Sequence, residues 1–293
     1  MRKWSKIKII ILFLLPACLL YAVFAVYPVV KAFWVSFNRW DGYARNMAFV
    51  GLDNFKNIIL HDPVFWGSFK NTFFLLTIPG IITLLLALFF ASVLSSGIKG
   101  DKFFRVTYFF PNIMSGVVIS LLWSFIYNPS FGILNGLLRL VGLEELTRTW
   151  LEPGRVIPAL VAPIVWCSVG FYMVLFLAGI QNIPQTLYEA ADIDGASSWQ
   201  SFWHVTFPLL WEIISIAIVF IVIGGLKVFD LVWVITSGSP TRHSQVIATY
   251  MYQKAISEGN MGYGTAISVL LFILVLIATI ISMRLLQRER VEY

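Results

Sequence analysis

Residues 71–98 read NTFFLLTIPGIITLLLALFFASVLSSGI, without one charged side chain. A surface helix of a soluble protein keeps a polar face; this stretch has none, and it exceeds the ~20 apolar residues that cross a bilayer core. Uncharged stretches recur at 9–30, 106–138, 156–188 and 259–283, and a sixth apolar stretch, 209–235, holds only Glu212, Lys227 and Asp230 as charges. The 293 residues are 59% apolar and 12% charged, against about 25% charged in a soluble domain. The sequence therefore predicts an all-α integral membrane protein, a single transmembrane domain over 1–293. Its six transmembrane helices are expected near 7–30, 71–94, 105–127, 156–180, 209–235 and 264–286.

The net charge of +6 raises the question of a nucleic-acid partner, and its distribution excludes one, because no basic face forms. Arg2, Lys3, Lys6 and Lys8 precede the first span, Lys99, Lys102 and Arg105 separate the second and third, and Arg284, Arg288 and Arg290 follow the last. By the positive-inside rule this density places both termini and the 95–105 loop in the cytoplasm. Cys18 and Cys167 lie within spans and give no disulfide framework. Leu15-Pro16-Ala17-Cys18 faintly resembles a lipoprotein cleavage box, but the apolar run continues to Val30, longer than a cleaved signal core, so the first helix is expected to be retained. His61, His204 and His243 fall in different loops without metal-ligand spacing, and no catalytic or metal site is expected. In the first outer loop, Phe55, Ile58, Ile59 and Leu60 have helical spacing and predict a short interfacial helix, with Trp34, Trp40 and Trp66 in an aromatic belt.

One inner loop, 182–208, breaks the charge rule: from Val156 to Leu226 there is no Lys or Arg at all. Pro184 suits a helix start, Gln185 to Asp194 form the first helix, and Gly195 can take the left-handed conformation that stops it. Acids near the start suit the helix dipole and Asp194 at the end does not. Ser197 or Ser198 can cap a second helix, to Phe207, with Pro208 at entry to the next span. The predicted unit is helix–Gly–helix, with a small Ala pair open to another surface and Glu189 able to meet a partner's basic residue.

This segment resembles the coupling loop of ABC-importer permeases, whose pattern is Glu-Ala-Ala, three residues, Gly, nine residues, Ile, one residue, Leu-Pro. Glu189, Ala190, Ala191, Gly195 and Pro208 match at that spacing; Val205 and Phe207 replace the Ile and Leu and stay apolar. Phe49 to Phe55, Asn128 to Asn135 with Gly132, Phe229-Asp230 followed by Thr236 to Pro240, Thr249 to Tyr252 and Gly262 to Gly264 are similar to the maltose-type sugar permeases, the first of their two subunits. Ser239 departs from the family's Gly-Gly-Pro. The resemblance implies an ABC type I importer transmembrane domain in a bacterial cytoplasmic (inner) membrane, moving a sugar or oligosaccharide. It implies that Glu189, Ala190, Ala191, Asp194, Gly195 and Pro208 couple to an ATPase. The partners it implies are a second homologous permease forming a heterodimer, two copies of an ATP-binding subunit and an extracytoplasmic solute-binding protein.

No Gly-x-x-x-x-Gly-Lys-Ser/Thr loop occurs in the chain, so ATP and Mg are expected on the partner, with no cofactor in this chain and no enzymatic activity of its own. By the same resemblance the sugar pocket lies midway across spans three to five, with Asn112, Trp166 and Phe171 at pocket positions. Gly224 and Gly225 stand where the family member has larger residues; the pair either opens room for a ligand or permits tight helix packing. Lys227 and Asp230, at i and i+3, are expected to form a structural pair. The alternatives are a glycerol-phosphate-type ABC permease, for which a basic pocket is expected, and an ion-coupled secondary transporter, which wants repeats and midplane acids absent here.

Overall fold

A computed structural model describes residues 3–238 and 240–286, with the side chains of 3–10 left aside. Arg2, Arg288, Arg290 and Ser239 lie outside the described residues. Helix α1 comprises Lys3–Tyr21, Ala22–Val26 and Tyr27–Ser36. A two-stranded antiparallel ribbon, β1 (Asn38–Arg39) and β2 (Ala48–Phe49), leads to the short helix α2, Asp53–Lys56 continued by Asn57–His61. Then follow α3 (Pro63–Ser95), α4 (Asp101–Ile113), α5 (Gly116–Ile126), α6 (Ile133–Leu140) and α7 (Val156–Gln181). The 182–208 loop holds α8 (Gln185–Ile193) and α9 (Ser198–Leu209), and after it come α10 (Trp211–Leu226), α11 (Asp230–Ile235), α12 (Ile247–Tyr252, continued by Gln253–Ser257) and α13 (Met261–Leu286).

Among the described residues four helices are long and apolar enough to cross a membrane: Ile11–Ser36 of α1, α3, α7 and α13. Two further helix pairs are bent, α4 with α5 at 101° over the expected third span and α9 with α10 at 67°, the latter joining the second arm of the 182–208 loop to the start of the expected fifth span; the number is six if each pair is one span. The stretch 105–127 is thus two helices rather than one. Pro111 lacks an N–H, the chain tightens to a 3-10 turn at Phe110–Ile113, and Met114 and Ser115 go extended (ψ 148° and 146°). Ser115 then caps α5, its hydroxyl accepting from the Val118 N–H at 3.3 Å. The stretch 209–235 is likewise divided: α10 ends at Leu226, and α11 starts after Phe229 (φ −136°, ψ −64°). The first helix runs past residue 30 to Ser36, and the second begins at Pro63 rather than 71.

The chain divides into two compact units, one up to Phe65 with Tyr250–Ile273, the other Trp66–Thr249 with the chain from Leu274. In the first, Asn54 is buried and its amide donates to the carbonyls of Ser36 (2.9 Å) and Asn38 (3.0 Å), holding α2 against the ribbon. Ile58 of the expected interfacial helix is buried, while Ile59 and Leu60 are exposed. Gly262 packs so close to the ribbon that a Cβ would meet the Asn38 carbonyl oxygen at 2.1 Å. Asp62 ends α2 and caps α3, its Oδ1 accepting from the N–H groups of Val64 (2.9 Å) and Phe65 (3.1 Å). Its Oδ2 accepts from the hydroxyls of Tyr250 (2.5 Å) and Tyr263 (2.6 Å).

In the second unit the core of α3, α7 and α10 is built on Ala87, Ala91, Met173, Phe176, Leu210 and Ala217. Gly170 lets α7 press on α4, since a Cβ there would meet the Tyr108 carbonyl oxygen at 2.0 Å. Helix α11 packs against α5, where Ile119, Leu231, Val232 and Ile235 share a second core. A polar knot ties α3 to the chain before α12: Asn71 donates to the carbonyls of His243 (3.0 Å) and Gln245 (2.8 Å), and Thr249 donates to Gln245 Oε1 at 2.7 Å.

Burial works to raise the Asp62 carboxyl, but the two tyrosine hydroxyls and two N–H groups outweigh it and hold the pKa below the usual 3.8. A lowered carboxylate contributes stability above its unfolded pKa and loses it as pH falls through the folded value. Asp62→Asn should therefore lower the thermal midpoint of the purified protein at neutral pH. The gap to wild type should close on acidification below 3.8, measured by thermal unfolding in detergent across a pH series.

Candidate functional site

The 182–208 loop takes the helix–Gly–helix form that its sequence implies. Pro184 (φ −57°, ψ 129°) turns the chain into α8, Asp194 caps the end, and Gly195 stands at φ +75°. There the Ala196 N–H reaches back to the Ala191 carbonyl (2.9 Å) and the Asp194 N–H to Ala190 (3.0 Å), satisfying carbonyls that the helix end would orphan. No atom lies within 4 Å of a Cβ placed on Gly195, so its requirement is backbone conformation alone. Ser197 opens α9 with a reciprocal cap: the Ser197 N–H donates to Gln200 Oε1 (2.8 Å) and the Gln200 N–H to Ser197 Oγ (3.4 Å). Tyr188 and Thr206 join the two helices through their hydroxyls at 3.0 Å. The second helix runs to Leu209, widening over Phe202–Thr206, and contains Pro208 near its end.

This frame presents Glu189, Ala190, Ile193, Asp194 and Gly195 to the surface, with Ile193 86% exposed. Among the described residues, none of the four ion pairs uses Glu189, Asp192 or Asp194. The first turn of α8 holds no acid, so the helix dipole, which acts within one turn, does not account for these carboxylates. An apolar tip flanked by uncompensated acids is what a basic protein partner would complement.

Two cavities lie within the second unit. The larger, about 780 Å³, has aromatic walls from Phe90, Tyr108, Tyr127, Trp150 and Trp166, with Arg155 at its lining. The smaller, about 340 Å³, is lined by Thr83, Ser168, Tyr172, Gly224, Lys227 and Asp230. Thr83 is 1% exposed, and its hydroxyl has no hydrogen-bond partner among the described residues. A buried hydroxyl left so costs about 1–3 kcal/mol, which a hydroxylated ligand would recover.

The expected pocket residues are not brought together. Trp166 faces the larger cavity, edge-on to Trp123 at 6.1 Å, whereas Gly224 and Gly225 line the smaller. Asn112 and Phe171 line neither: the Asn112 amide donates to the Cys167 carbonyl (3.3 Å), and Phe171 packs on Tyr172 at 5.1 Å. The glycine pair divides its two readings. A Cβ on Gly225 would meet Leu76 at 2.8 Å, which is helix packing, while Gly224 has nothing within 4 Å and opens room. Lys227 and Asp230 form none of the described ion pairs; the helix breaks between them, so the i, i+3 geometry does not exist, and both line the smaller cavity. Thr83 and Ser168 escaped sequence reasoning because a lone Ser or Thr hydroxyl in an apolar helix ordinarily bonds its own backbone, and Tyr172 because an aromatic there reads as core packing.

Residues 83–291 match the family described as binding-protein-dependent transport system inner membrane component. The chain belongs to that family. A Pyrococcus horikoshii protein called a probable ABC transporter permease is 37% identical over 283 residues, covering 96% of each chain. The trehalose/maltose transport system permease of Thermococcus litoralis is 33% identical over 283 residues, covering 96% of this chain and 95% of its own. A crystal structure of a bacterial ABC transporter involved in the import of the acidic polysaccharide alginate superimposes with a TM-score of 0.84 over 99% of both chains, at 23% identity, a likeness of fold. As a member of this family the chain is a multi-pass membrane transport component, and a sugar-type ABC permease on the motifs read above.

Gly195→Val forces a β-branched side chain into the left-handed region at a cost of about 1–2 kcal/mol per residue. With open space around it, the loss should stay local. Hydrogen exchange should show faster exchange of the Ala196 and Asp194 amides, with α7 and α10 unchanged.

Proposed function

We propose that this chain is one permease subunit of an ATP-driven importer that carries a sugar or oligosaccharide into a bacterial cytoplasm. In this reading six spans form a single permease domain, with both termini and the 182–208 loop cytoplasmic. The partners are a second, homologous permease, two ATP-binding subunits and an extracytoplasmic binding protein. ATP and Mg sit on the ATPase subunits. The observation that carries the proposal is the rigid, exposed helix–Gly–helix loop, whose Glu189, Ala190, Asp194 and Gly195 lie at the surface with Ala191 half-buried beside them. Closure of the ATPase pair pushes on that loop, and the Tyr188–Thr206 link passes the displacement to α9 and so to α10. Alternating access requires that each state contact the ligand differently.

For the ligand, the smaller cavity is the better candidate. Thr83, Ser168 and Tyr172 offer hydroxyls, Lys227 donates and Asp230 accepts, a set suited to the alternating donors and acceptors of a sugar ring. The sugar assignment is supported by the printed transport role of the Thermococcus litoralis relative. Lys227 favours one second reading, an anionic glycerol phosphate, and family membership leaves an ion-coupled carrier without support.

Co-purification from native membranes should bring down a second permease and an ATPase with the intact chain. Glu189→Lys combined with Gly195→Asp should lose the ATPase and keep the permease partner; a chain that purifies alone and still transports refutes the proposal. Thr83→Val and Lys227→Met should each cut sugar uptake about tenfold, the equivalent of 1–2 kcal/mol, with the ATPase retained. If Trp166→Ala does so instead, the larger cavity is the site. Competition by glycerol phosphate, abolished in Lys227→Met, would move the substrate to the anionic class.

A further inference from the structure

An aromatic ladder that the docking of α8 does not use runs along α9 into the start of α10. Trp199, Trp203, Phe207 and Trp211 follow one another at four-residue spacing, with ring centroids 5.6, 5.0 and 5.9 Å apart. Trp199 is 70% and Trp203 43% exposed, and neither indole N–H has a hydrogen-bond partner among the described residues.

Geometry fixes the level at which the ladder runs. Trp211 begins α10, and its indole donates to the carbonyl of Leu286, at the end of α13, at 3.0 Å. That bond ties the ends of two apolar helices at one depth. From Trp211 back to Trp199 the helix is about 18 Å long, but α9 is bent 67° from α10. If α10 runs near the bilayer normal, the ladder climbs only about 7 Å, against roughly 5–7 Å for one headgroup layer. Helix α10 itself, Trp211–Leu226, rises about 24 Å, short of a ~30 Å hydrocarbon core, which draws Trp211 and α9 against the membrane rather than away from it.

The charges separate the two helices of the loop. Helix α8 carries Glu189 and Asp192, whereas α9 from Ser198 to Leu209 has no Asp, Glu, Lys or Arg. An uncharged helix with two unpartnered indole N–H groups suits the ester and headgroup zone, where Trp places its ring in the acyl boundary and its N–H on a lipid oxygen.

We propose that α9 lies in the headgroup layer of the bilayer, anchored there by Trp199 and Trp203, so that the loop has one face on a protein and the other on lipid. The proposal rests on α10 being a span. It makes the bilayer the fulcrum against which a push on α8 becomes a tilt of α10.

The test is a single-cysteine label in the full chain, with Cys18→Ala and Cys167→Ala, reconstituted in phosphatidylcholine vesicles. A polarity-sensitive fluorophore at Trp199→Cys is compared with one at Ile216→Cys, an exposed position within α10. The expected result is a blue-shifted emission at 199, quenched more by lipids brominated near the headgroup end of the acyl chain than by those brominated deeper. The 216 label should show the opposite order. Water-like, unquenched emission at 199 with normal deep quenching at 216 overturns the proposal and leaves the span intact. Protection at 199 appearing only after ATP-binding subunits are added assigns the ladder to a protein partner, which also overturns it. Absence of quenching at 216 removes the span and the proposal together.

Discussion

In hydrocarbon every backbone N–H and C=O must find its partner inside the protein, since lipid offers none. A chain of this composition can therefore interrupt its helices only where other groups take over the freed bonds. At the α4–α5 break, Pro111 has no N–H to lose and Ser115 supplies a side-chain cap. At the α10–α11 break, the Lys227 N–H turns back to Gly224 at 3.2 Å. Both interruptions sit where polar side chains and a cavity already exist, with Asp230 3.2 Å from where a Gly116 Cβ would stand. The cost of breaking the helices and the capacity to hold a polar ligand share one location.

That constraint explains which features were legible in the sequence. The apolar runs and the long helices are the same fact stated twice, because hydrocarbon tolerates no other long structure. The inner loop was legible for a local reason: Gly195 and Ser197 each demand one backbone arrangement, and both took it. The breaks within the third and fifth stretches were not legible, because hydropathy counts side chains and is blind to which peptide group carries a hydrogen bond. Pro79 lies inside α3 without ending it, so Pro111 alone could not announce its break.

The pocket was the least legible element. Whether Thr83 bonds its own helix or faces a cavity depends on rotamer and neighbours, and Thr72, in the same helix, takes the first course with Ser68 at 2.8 Å. Positions carried over by resemblance came apart for a related reason. Trp166 and Cys167 are neighbours in α7, but α7 faces two cavities, and a step of one residue decides which. Adjacent Gly224 and Gly225 serve opposite ends, one leaving space and the other admitting Leu76.

The loop between α7 and α10 joins these observations mechanically. It is stiff at every joint: reciprocal caps at Ser197 and Gln200, a left-handed glycine at its corner, and a hydroxyl pair across its two arms. In the proposed mechanism a flexible loop would absorb a push from an ATPase, whereas this one would deliver it to the 67° corner at Leu210, which is fully buried in the α3–α7–α10 core. Gly179 lets α7 come close at that corner, since a Cβ there would meet Leu210 at 2.5 Å and Ile213 at 2.3 Å. Close-packed cores move between discrete arrangements rather than deform continuously. A displacement arriving at Leu210 therefore shifts α10 as a body, and with it the end that carries Lys227 to the smaller cavity.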